Sequence, residues 1–247
     1  MKQAWSLAFV MLLLAVPASR AEQSPHGELL EIHSCQLYIG GCIASSEATQ
    51  DGRSRLRMWS FSGGSYRGVG LCRLRTALLE VSDDNLATKS ARPTEAVAYL
   101  PTGATPAQRA ALLDWIKTTN PQLANAKLHT RLVAMELAKK RGNVTFSAGD
   151  FVRLAAKPFE PCGLTSCGEA LWYTPRSTLT AYTVEVVDKL TVHEPLLALR
   201  WIDHGKNSVF NGRFDGAQVA AATFSSPTMT CHALSVVNTV HTHTPHE

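Results

Sequence analysis

Residues 105–119 read Thr-Pro-Ala-Gln-Arg-Ala-Ala-Leu-Leu-Asp-Trp-Ile-Lys-Thr-Thr and carry the clearest helix pattern in this chain. Thr105 is a typical N-cap residue, and Pro106 suits the first helical position because its missing N–H would lack a partner there. Ala110, Leu113 and Ile116 recur at helical spacing. The pattern ends before an Asn-Pro pair at residue 120, so it predicts one principal helix near 106–118.

On both sides of this helix the chain reads as short β segments. Apolar residues alternate with polar ones or form short runs that end at Gly, Pro, Asn or Asp. The predicted strands cover residues 27–38, 56–61, 74–81, 95–100, 128–139, 144–157, 179–187 and 196–202. One helix among so many strands predicts an α+β fold with a mainly antiparallel β-sheet, arranged as a sandwich or half-barrel.

The first 21 residues have the pattern of a secretory signal peptide. Lys2 gives a positive start, residues 7–16 are apolar, and small residues precede Glu22. The apolar run is too short to span a bilayer, and no later run is long enough. We therefore expect a signal peptide at 1–21, one α+β domain at 22–214 and a C-terminal extension at 215–247, in a protein located outside the cytoplasm, either periplasmic or secreted.

The remaining composition argues against several function classes. Loss of Lys2 and Arg20 with the leader would lower the net charge from +4 to about +2, which is too mild to indicate a nucleic-acid partner. Serine-hydrolase elbows, His-Glu-x-x-His zinc motifs, phosphate loops and dinucleotide fingerprints do not occur in the sequence. We expect no stable membrane insertion after signal cleavage, and no catalytic residue is assigned.

The six cysteines are the strongest chemical signal, and Cys35 and Cys42 lie in one short segment. A thiol outside the cytosol is expected to be oxidised unless a metal or burial protects it. This segment is therefore interpreted either as a disulfide clamp or as a site for a soft metal ion.

Three stretches resemble the bacterial family catalogued as domain of unknown function 1326. They are Glu31-Ile32-His33-Ser34-Cys35 leading to Cys42; Gly68-Val69 followed by Ala98-Tyr99-Leu100-Pro101 and by residues 106–112; and Asp203-His204-Gly205-Lys206-Asn207. The resemblance implies no established activity. Members carry two Cys-x-Cys pairs in the first stretch, which suggests metal or redox chemistry. In this chain His33 replaces the first cysteine, and Cys35 and Cys42 remain.

His33, Cys35 and Cys42 are accordingly the candidate metal ligands. Residues two apart on a strand share a face, so His33 and Cys35 would point the same way, and a Gly-Gly loop could return Cys42 to them. An imidazole with two thiolates suits Cu(I) or Zn(II). The alternative is a Cys35–Cys42 disulfide with His33 incidental, and differently paired or reduced thiols are a third interpretation.

The other candidates are weaker. Cys162 and Cys167 flank a Gly-containing loop and suggest a disulfide, or ligands shared with the first segment. Cys72, beside apolar Leu71, is interpreted either as a buried, inert thiol or as a disulfide partner of Cys231. The weaker metal-ligand candidates are His204, where a turn is the main expectation, and the tail residues His241, His243 and His246.

Three functional hypotheses follow. The first is an exported copper-handling protein, with an unknown partner for metal delivery. The second is a disulfide-stabilised domain that binds a small ligand or a partner without metal. The third is a thiol oxidoreductase or a metal-dependent enzyme, so enzymatic activity stays open.

Overall fold

The computed structural model describes residues 23–35, 38–40, 52–159, 169–171 and 173–216. The predicted signal peptide and nearly all of the C-terminal extension lie outside these ranges. The strands are β1 (His26–His33), β2 (Tyr38–Gly40), β3 (Ser54–Gly63), β4 (Ser65–Tyr66), β5 (Val69–Gly70), β6 (Arg75–Val81), β7 (Glu95–Pro101), β8 (Lys127–Val133), β9 (Met135–Lys140), β10 (Asn143–Ala148), β11 (Val152–Pro158), β12 (Glu169–Leu171), β13 (Ala181–Glu194), β14 (Leu199–Asp203) and β15 (Val209–Asp215). The helix is α1 (Pro106–Thr119), and 3-10 turns cover Pro121–Leu123 and Pro195–Leu197.

The predicted fold class is confirmed. Eleven strands form one sheet in the order β8-β7-β6-β3-β1-β15-β13-β11-β10-β9, with β14 paired to β13. All pairs are antiparallel except β7 with β8, which α1 joins as a crossover. Two small antiparallel pairs, β2 with β12 and β4 with β5, accompany the main sheet.

The helix begins as its sequence predicts. The Thr105 side chain accepts a hydrogen bond from the Gln108 backbone N–H, and the Gln108 side chain accepts one from the Thr105 N–H. This reciprocal capping box satisfies two N–H groups that the first turn leaves without helical partners. The helix buries Leu112, Trp115 and Ile116 against the sheet.

The sheet curls into a nearly closed half-barrel because its two edge strands are neighbours in sequence. Only Ala134 separates β8 from β9, so the chain passes from one edge of the sheet directly to the other. The prediction of one continuous strand over 128–139 was therefore wrong at this bend. The predicted strand over 144–157 is also divided, by a turn at Gly149 whose φ is +52°.

Strand alternation separates two apolar layers. Leu30 and Ile32 of β1 face the inside of the half-barrel, where they pack with residues such as Phe146 and Val187. Leu29 faces the opposite side, where it packs with Trp59 and the helix residue Trp115. This opposite side of the sheet is called the helix face below.

A buried polar network lies inside the half-barrel. The Tyr99 hydroxyl donates to Glu194 at 2.8 Å, and Arg131 donates two hydrogen bonds to the same carboxylate, at 2.6 and 3.1 Å. The Arg131 guanidinium also stacks over the Phe151 ring at 3.9 Å. Burial and the Glu194 carboxylate raise the pKa of Tyr99 well above its ordinary value, so this hydroxyl stays a donor.

Candidate functional site

The helix face of the sheet changes from apolar to charged along β1. Leu29 lies opposite Trp59 in the neighbouring strand β3, and two residues further on Glu31 lies opposite Arg57. The next pair on this face is His33 with Arg55, and Arg55 in turn lies opposite Glu80 of β6. All five polar side chains are at most 3% exposed. Because residues two apart on a strand share a face, these side chains form one buried charged cluster on the helix face.

One carboxylate serves two guanidinium groups in this cluster. Glu80 accepts hydrogen bonds from Arg55 at 2.8 and 3.0 Å and from Arg57 at 3.0 and 3.1 Å. Burial, together with the charge of Arg55, lowers the pKa of Arg57 to about 10 although Glu80 acts in the opposite direction. Burial alone would raise the pKa of Glu80, but the two arginines hold it below its ordinary value. Both guanidiniums are therefore charged near neutral pH.

Glu31 connects a segment that is distant in sequence to this charged cluster. Its carboxylate accepts the backbone N–H groups of Arg176 and Ser177 at 2.7 and 2.9 Å, and it lies 2.8 Å from His33 Nε2. Burial works against the charge of Glu31, but His33 and the nearby arginines lower its pKa overall. The ionised carboxylate can only accept, so His33 Nε2 must carry the proton.

The second nitrogen of His33 is left with an unused lone pair. Burial lowers the pKa of His33, so the ring is neutral near pH 7. Because Nε2 holds the proton, Nδ1 is an acceptor, and this buried atom has no hydrogen-bond partner among the residues that the structure describes. A buried imidazole held on one side by a carboxylate is the usual arrangement of a metal-bound histidine.

A cleft of about 580 Å³ lies over this part of the helix face. One wall is the end of α1 with the following 3-10 turn, residues 118–122, and the other wall is residues 176–178. The floor contains Arg57 together with apolar and aromatic side chains, which are Leu29, Trp59, Trp115 and Phe214. A volume between about 300 and 1,000 Å³ is typical of small-molecule sites.

A second cavity of about 320 Å³ shares Pro121, Gln122 and Arg176 with the first. Its other lining residues are Arg55, Lys89, Ala91 and Arg92. The two cavities, together called the cationic cleft, are thus lined by five positive side chains and by no aspartate or glutamate among the described residues. The negative charges that balance them in part, Glu31 and Glu80, lie in the floor beneath.

Arg176 is the cation that both cavities share. Its backbone is fixed by Glu31, but its guanidinium makes no ion pair with any of the described residues. Burial lowers the pKa of Arg176, the positive charges of Arg55 and Arg92 lower it further, and the Glu31 carboxylate acts in the opposite direction. Like charges are therefore gathered around this half-buried guanidinium, and an anion placed here would be attracted to all of them.

Only two of the six cysteines fall within the described ranges. Cys35 follows β1 at a bend, is buried against Ala87 and Phe210, and has its sulfur 3.9 Å from Asn85 Oδ1. Cys72 is exposed, and its thiol donates to the Ser62 carbonyl at 3.3 Å. The remaining cysteines, Cys42, Cys162, Cys167 and Cys231, lie outside the described residues, so the proposed disulfides and the full His33/Cys35/Cys42 set stay predictions.

His204 lies in the predicted turn, next to Gly205 with a φ of +69°. Its side chain is exposed, and its Nδ1 contacts the Asp188 carbonyl oxygen. Asp203 instead accepts from the Trp201 indole at 2.6 Å and pairs with Lys206 at 2.8 Å. The tail residues His241, His243 and His246 lie outside the described ranges. Within those ranges, no group of three or more His, Cys, Asp or Glu side chains is arranged to hold a metal ion.

Sequence reasoning missed the cationic cleft, although β3 contained a signal. Arg57 shares one strand face with Trp59 and Phe61, and Arg55 extends that face. A strand face that carries both arginine and large aromatic residues rarely faces solvent, and it indicates that the arginines are buried with an ion-pair partner. The sequence gives no comparable signal for Arg176, which reaches the cleft through a contact with Glu31.

Comparison of the chain with protein-family models, with curated proteins and with solved structures found no match. The resemblance to the family of domain of unknown function 1326 therefore stays a prediction. Within the described part of the chain, no helix is long and apolar enough to cross a membrane.

Proposed function

We propose that this protein binds a small anionic ligand in the cationic cleft. The observation that carries the proposal is the half-buried Arg176 guanidinium, which has no ion-pair partner among the described residues and lies among further positive side chains. Gathering guanidiniums away from bulk water costs free energy unless an anion compensates them. Arginine also matches carboxylates and phosphates geometrically, because its planar fork can donate two hydrogen bonds at once.

The surrounding contacts support a site that is shaped before the ligand arrives. Glu31 fixes the backbone of residues 176 and 177, and Glu80 fixes the guanidiniums of Arg55 and Arg57. A ligand that enters a preorganised site loses less free energy to the ordering of side chains. This proposal corresponds to the hypothesis of a ligand-binding β domain, and it assigns no catalytic step.

Isothermal titration with inorganic phosphate and with sulfate tests the proposal. We expect the wild-type protein to bind at least one of these ions, and Arg176→Gln to weaken binding about tenfold or more, since charge-assisted hydrogen bonds contribute about 1.5–3 kcal/mol. Arg200→Gln serves as the matched control, because Arg200 is exposed on β14 and lines neither cavity. Absence of binding in the wild type, or equal binding by Arg176→Gln, would contradict the proposal.

As a second candidate, we propose that His33 ligates Cu(I) or Zn(II) together with Cys35 and Cys42. The supporting observation is the buried Nδ1 of His33, whose lone pair has no partner among the described residues while Glu31 holds the opposite nitrogen. A metal bound there would act as a soft Lewis acid or as cargo, and Glu31 would set the orientation of the imidazole.

A Cu(I) competition titration against a chromophoric chelator separates this candidate from the first. The reduced protein, handled without oxygen, should hold one ion that is lost in Cys35→Ser and in His33→Gln. A protein truncated before His241 should keep the ion, which would rule out the tail as its site. If the wild-type protein does not compete with the chelator, copper binding at His33 is wrong, whereas the anion proposal is unaffected.

A further inference from the structure

The two halves of the cationic cleft differ in chemistry. The larger cavity has an apolar and aromatic side, formed by Leu29, Trp59, Trp115 and Phe214. The smaller cavity has only Ala91 and Pro121 as apolar residues, and the rest of its lining is cationic or amide. Arg176 and Gln122 line both, so they mark the boundary between an apolar half and a cationic half.

The charge excess indicates what the cationic half would hold. Five positive side chains line the cleft and two carboxylates, Glu31 and Glu80, lie beneath them, so the positive side chains outnumber these carboxylates by three. A monoanion would offset one of these charges, while a phosphate monoester with a charge near −2 would offset two and offer three acceptor oxygens. The cationic half therefore favours a phosphate-like dianion.

A serine hydroxyl at this boundary also has an unused hydrogen bond. Ser177 follows Arg176 in the chain and lines the larger cavity, and its buried Oγ has no hydrogen-bond partner among the described residues. A buried hydroxyl without a partner costs free energy unless something else satisfies it. A phosphate oxygen held by Arg176 would be an acceptor for this hydroxyl.

Three aromatic side chains that are each at most 4% exposed, Trp59, Trp115 and Phe214, line the apolar half of the cleft. Trp59 and Trp115 meet edge to face with ring centroids 5.5 Å apart, and Trp115 lies 5.8 Å from Phe214, so the three rings hold one another in place. Their packing leaves a fixed apolar wall next to Arg57, whose guanidinium is itself 5.2 Å from the Trp59 ring centroid. A flat apolar group attached to the anion would lie along this wall.

From these observations we infer that the ligand is a phosphate monoester of an aromatic or similarly flat apolar alcohol. Its phosphate lies in the cationic half, between Arg176, Arg55, Arg92 and Lys89, and its apolar body lies in the larger cavity against Trp59, Trp115 and Phe214. This inference rests on the proposed anion-binding function and specifies the class of ligand. Binding is reversible and involves no covalent step.

Isothermal titration of the full chain with three probes tests the inference: inorganic phosphate, 1-naphthol and 1-naphthyl phosphate. We expect 1-naphthyl phosphate to bind about tenfold tighter than inorganic phosphate, because the naphthyl group removes apolar surface from water. We expect 1-naphthol to bind more weakly than 1-naphthyl phosphate, because it lacks the dianion. Arg176→Gln should weaken binding of both phosphates.

A blocking variant locates the apolar body. Thr178 is exposed and lines only the larger cavity, so Thr178→Trp should fill the apolar half without disturbing the core. This variant should bind the two phosphates with similar affinity. Thr130→Trp is the matched control, because Thr130 is exposed on β8 and lines neither cavity.

The remaining outcomes separate the inference from the proposed function. Equal binding of the two phosphates by the wild type, lost in Arg176→Gln, would overturn the inference and leave anion binding intact. Binding of 1-naphthol as tight as that of 1-naphthyl phosphate would also overturn it. If neither phosphate binds, both the inference and the anion-binding function are wrong.

Discussion

The Glu31 carboxylate accepts the backbone N–H of Arg176 at 2.7 Å, across 145 positions of the chain. This contact joins a central strand of the sheet to the loop that forms one wall of the cleft. Glu31 is completely buried, and its ionised carboxylate also holds the N–H of Ser177 and the His33 ring. Glu31 therefore contributes both to the stability of the cleft floor and to the position of Arg176, the arginine that we propose binds the ligand.

Replacing Glu31 with Gln should reduce both stability and anion binding. Gln keeps one acceptor oxygen but brings a donor amide into a place where two N–H groups and an imidazole N–H already point. We expect a loss of about 1–3 kcal/mol in the free energy of unfolding, measured by urea titration. Binding of inorganic phosphate should weaken as well, because the backbone around Arg176 loses its anchor. Glu136→Gln, on the exposed side of β9, should change neither quantity.

Replacing Glu80 with Gln should destabilise the protein more severely. Arg55 and Arg57 are both buried and share this carboxylate, so its removal leaves two buried charges without their hydrogen-bonded counter-ion. We expect a loss of about 3–5 kcal/mol. The triple variant Arg55→Leu, Arg57→Met, Glu80→Leu removes all three charges and should be more stable than Glu80→Gln alone. If the triple variant unfolds at a lower urea concentration, the buried charges are not the source of the loss.

Stability should fall with acidification in two steps. Burial lowers the pKa of His33 below its ordinary value of 6.5, so the folded protein binds fewer protons than the unfolded chain as pH falls below that value. The His33 contribution is therefore complete above about pH 6.5 and is lost below it. The lowered pKa values of Glu31 and Glu80 add a second loss below about pH 4.5.

Urea unfolding at pH 7.5 and pH 5.5, with a chelator present, isolates the histidine step. The wild-type protein should lose stability between these values, by up to about 1.4 kcal/mol for each pH unit that separates the two His33 pKa values. His33→Gln should be less stable at pH 7.5 but should show a smaller difference between the two pH values. Exposed His204 provides the control, and His204→Gln should keep the wild-type difference. Identical pH dependence in wild type and His33→Gln would show that another group causes the loss.

The capping box of α1 offers a test that is independent of the cleft. Thr105→Ala removes the acceptor for the Gln108 N–H and should cost about 1 kcal/mol in the free energy of unfolding. Thr105→Ser keeps the hydroxyl and should stay close to the wild type. A loss of similar size in both variants would point to the threonine methyl group rather than to the cap.

Local signals predicted the elements that depend on neighbours in sequence. The start of α1 was correct because a cap and a first-turn proline act within one helical turn. The strand over 56–61 was correct apart from its ends, since alternation is visible in the residues themselves, and the structure extends it to Ser54–Gly63. The bend at Ala134 was missed because the alternating pattern continues through it, and only the closure of the half-barrel requires the break.

The contacts in the candidate site, in contrast, were not predictable from local sequence patterns. The sequence suggested His33 as a candidate metal ligand together with Cys35, and that role stays a prediction; the structure adds a carboxylate partner, Glu31, which no sequence pattern indicated. Arg55 and Arg57 read locally as strand residues with polar side chains, and their shared partner Glu80 lies on another strand. Such a partner is set by the register between strands, which depends on packing across the whole sheet.

By itself the sequence determined the helix, the alternation of the strands and hence the α+β class, because these depend on backbone preferences and on periodicity within a few residues. It did not determine which charged side chains would be buried together. Glu31 reaches Arg176, and Glu80 reaches Arg55 and Arg57, only once the strands pair in the observed register. Tertiary structure alone decided the cationic cleft, because the free energy of a buried charge depends on partners that are distant in sequence and close in space.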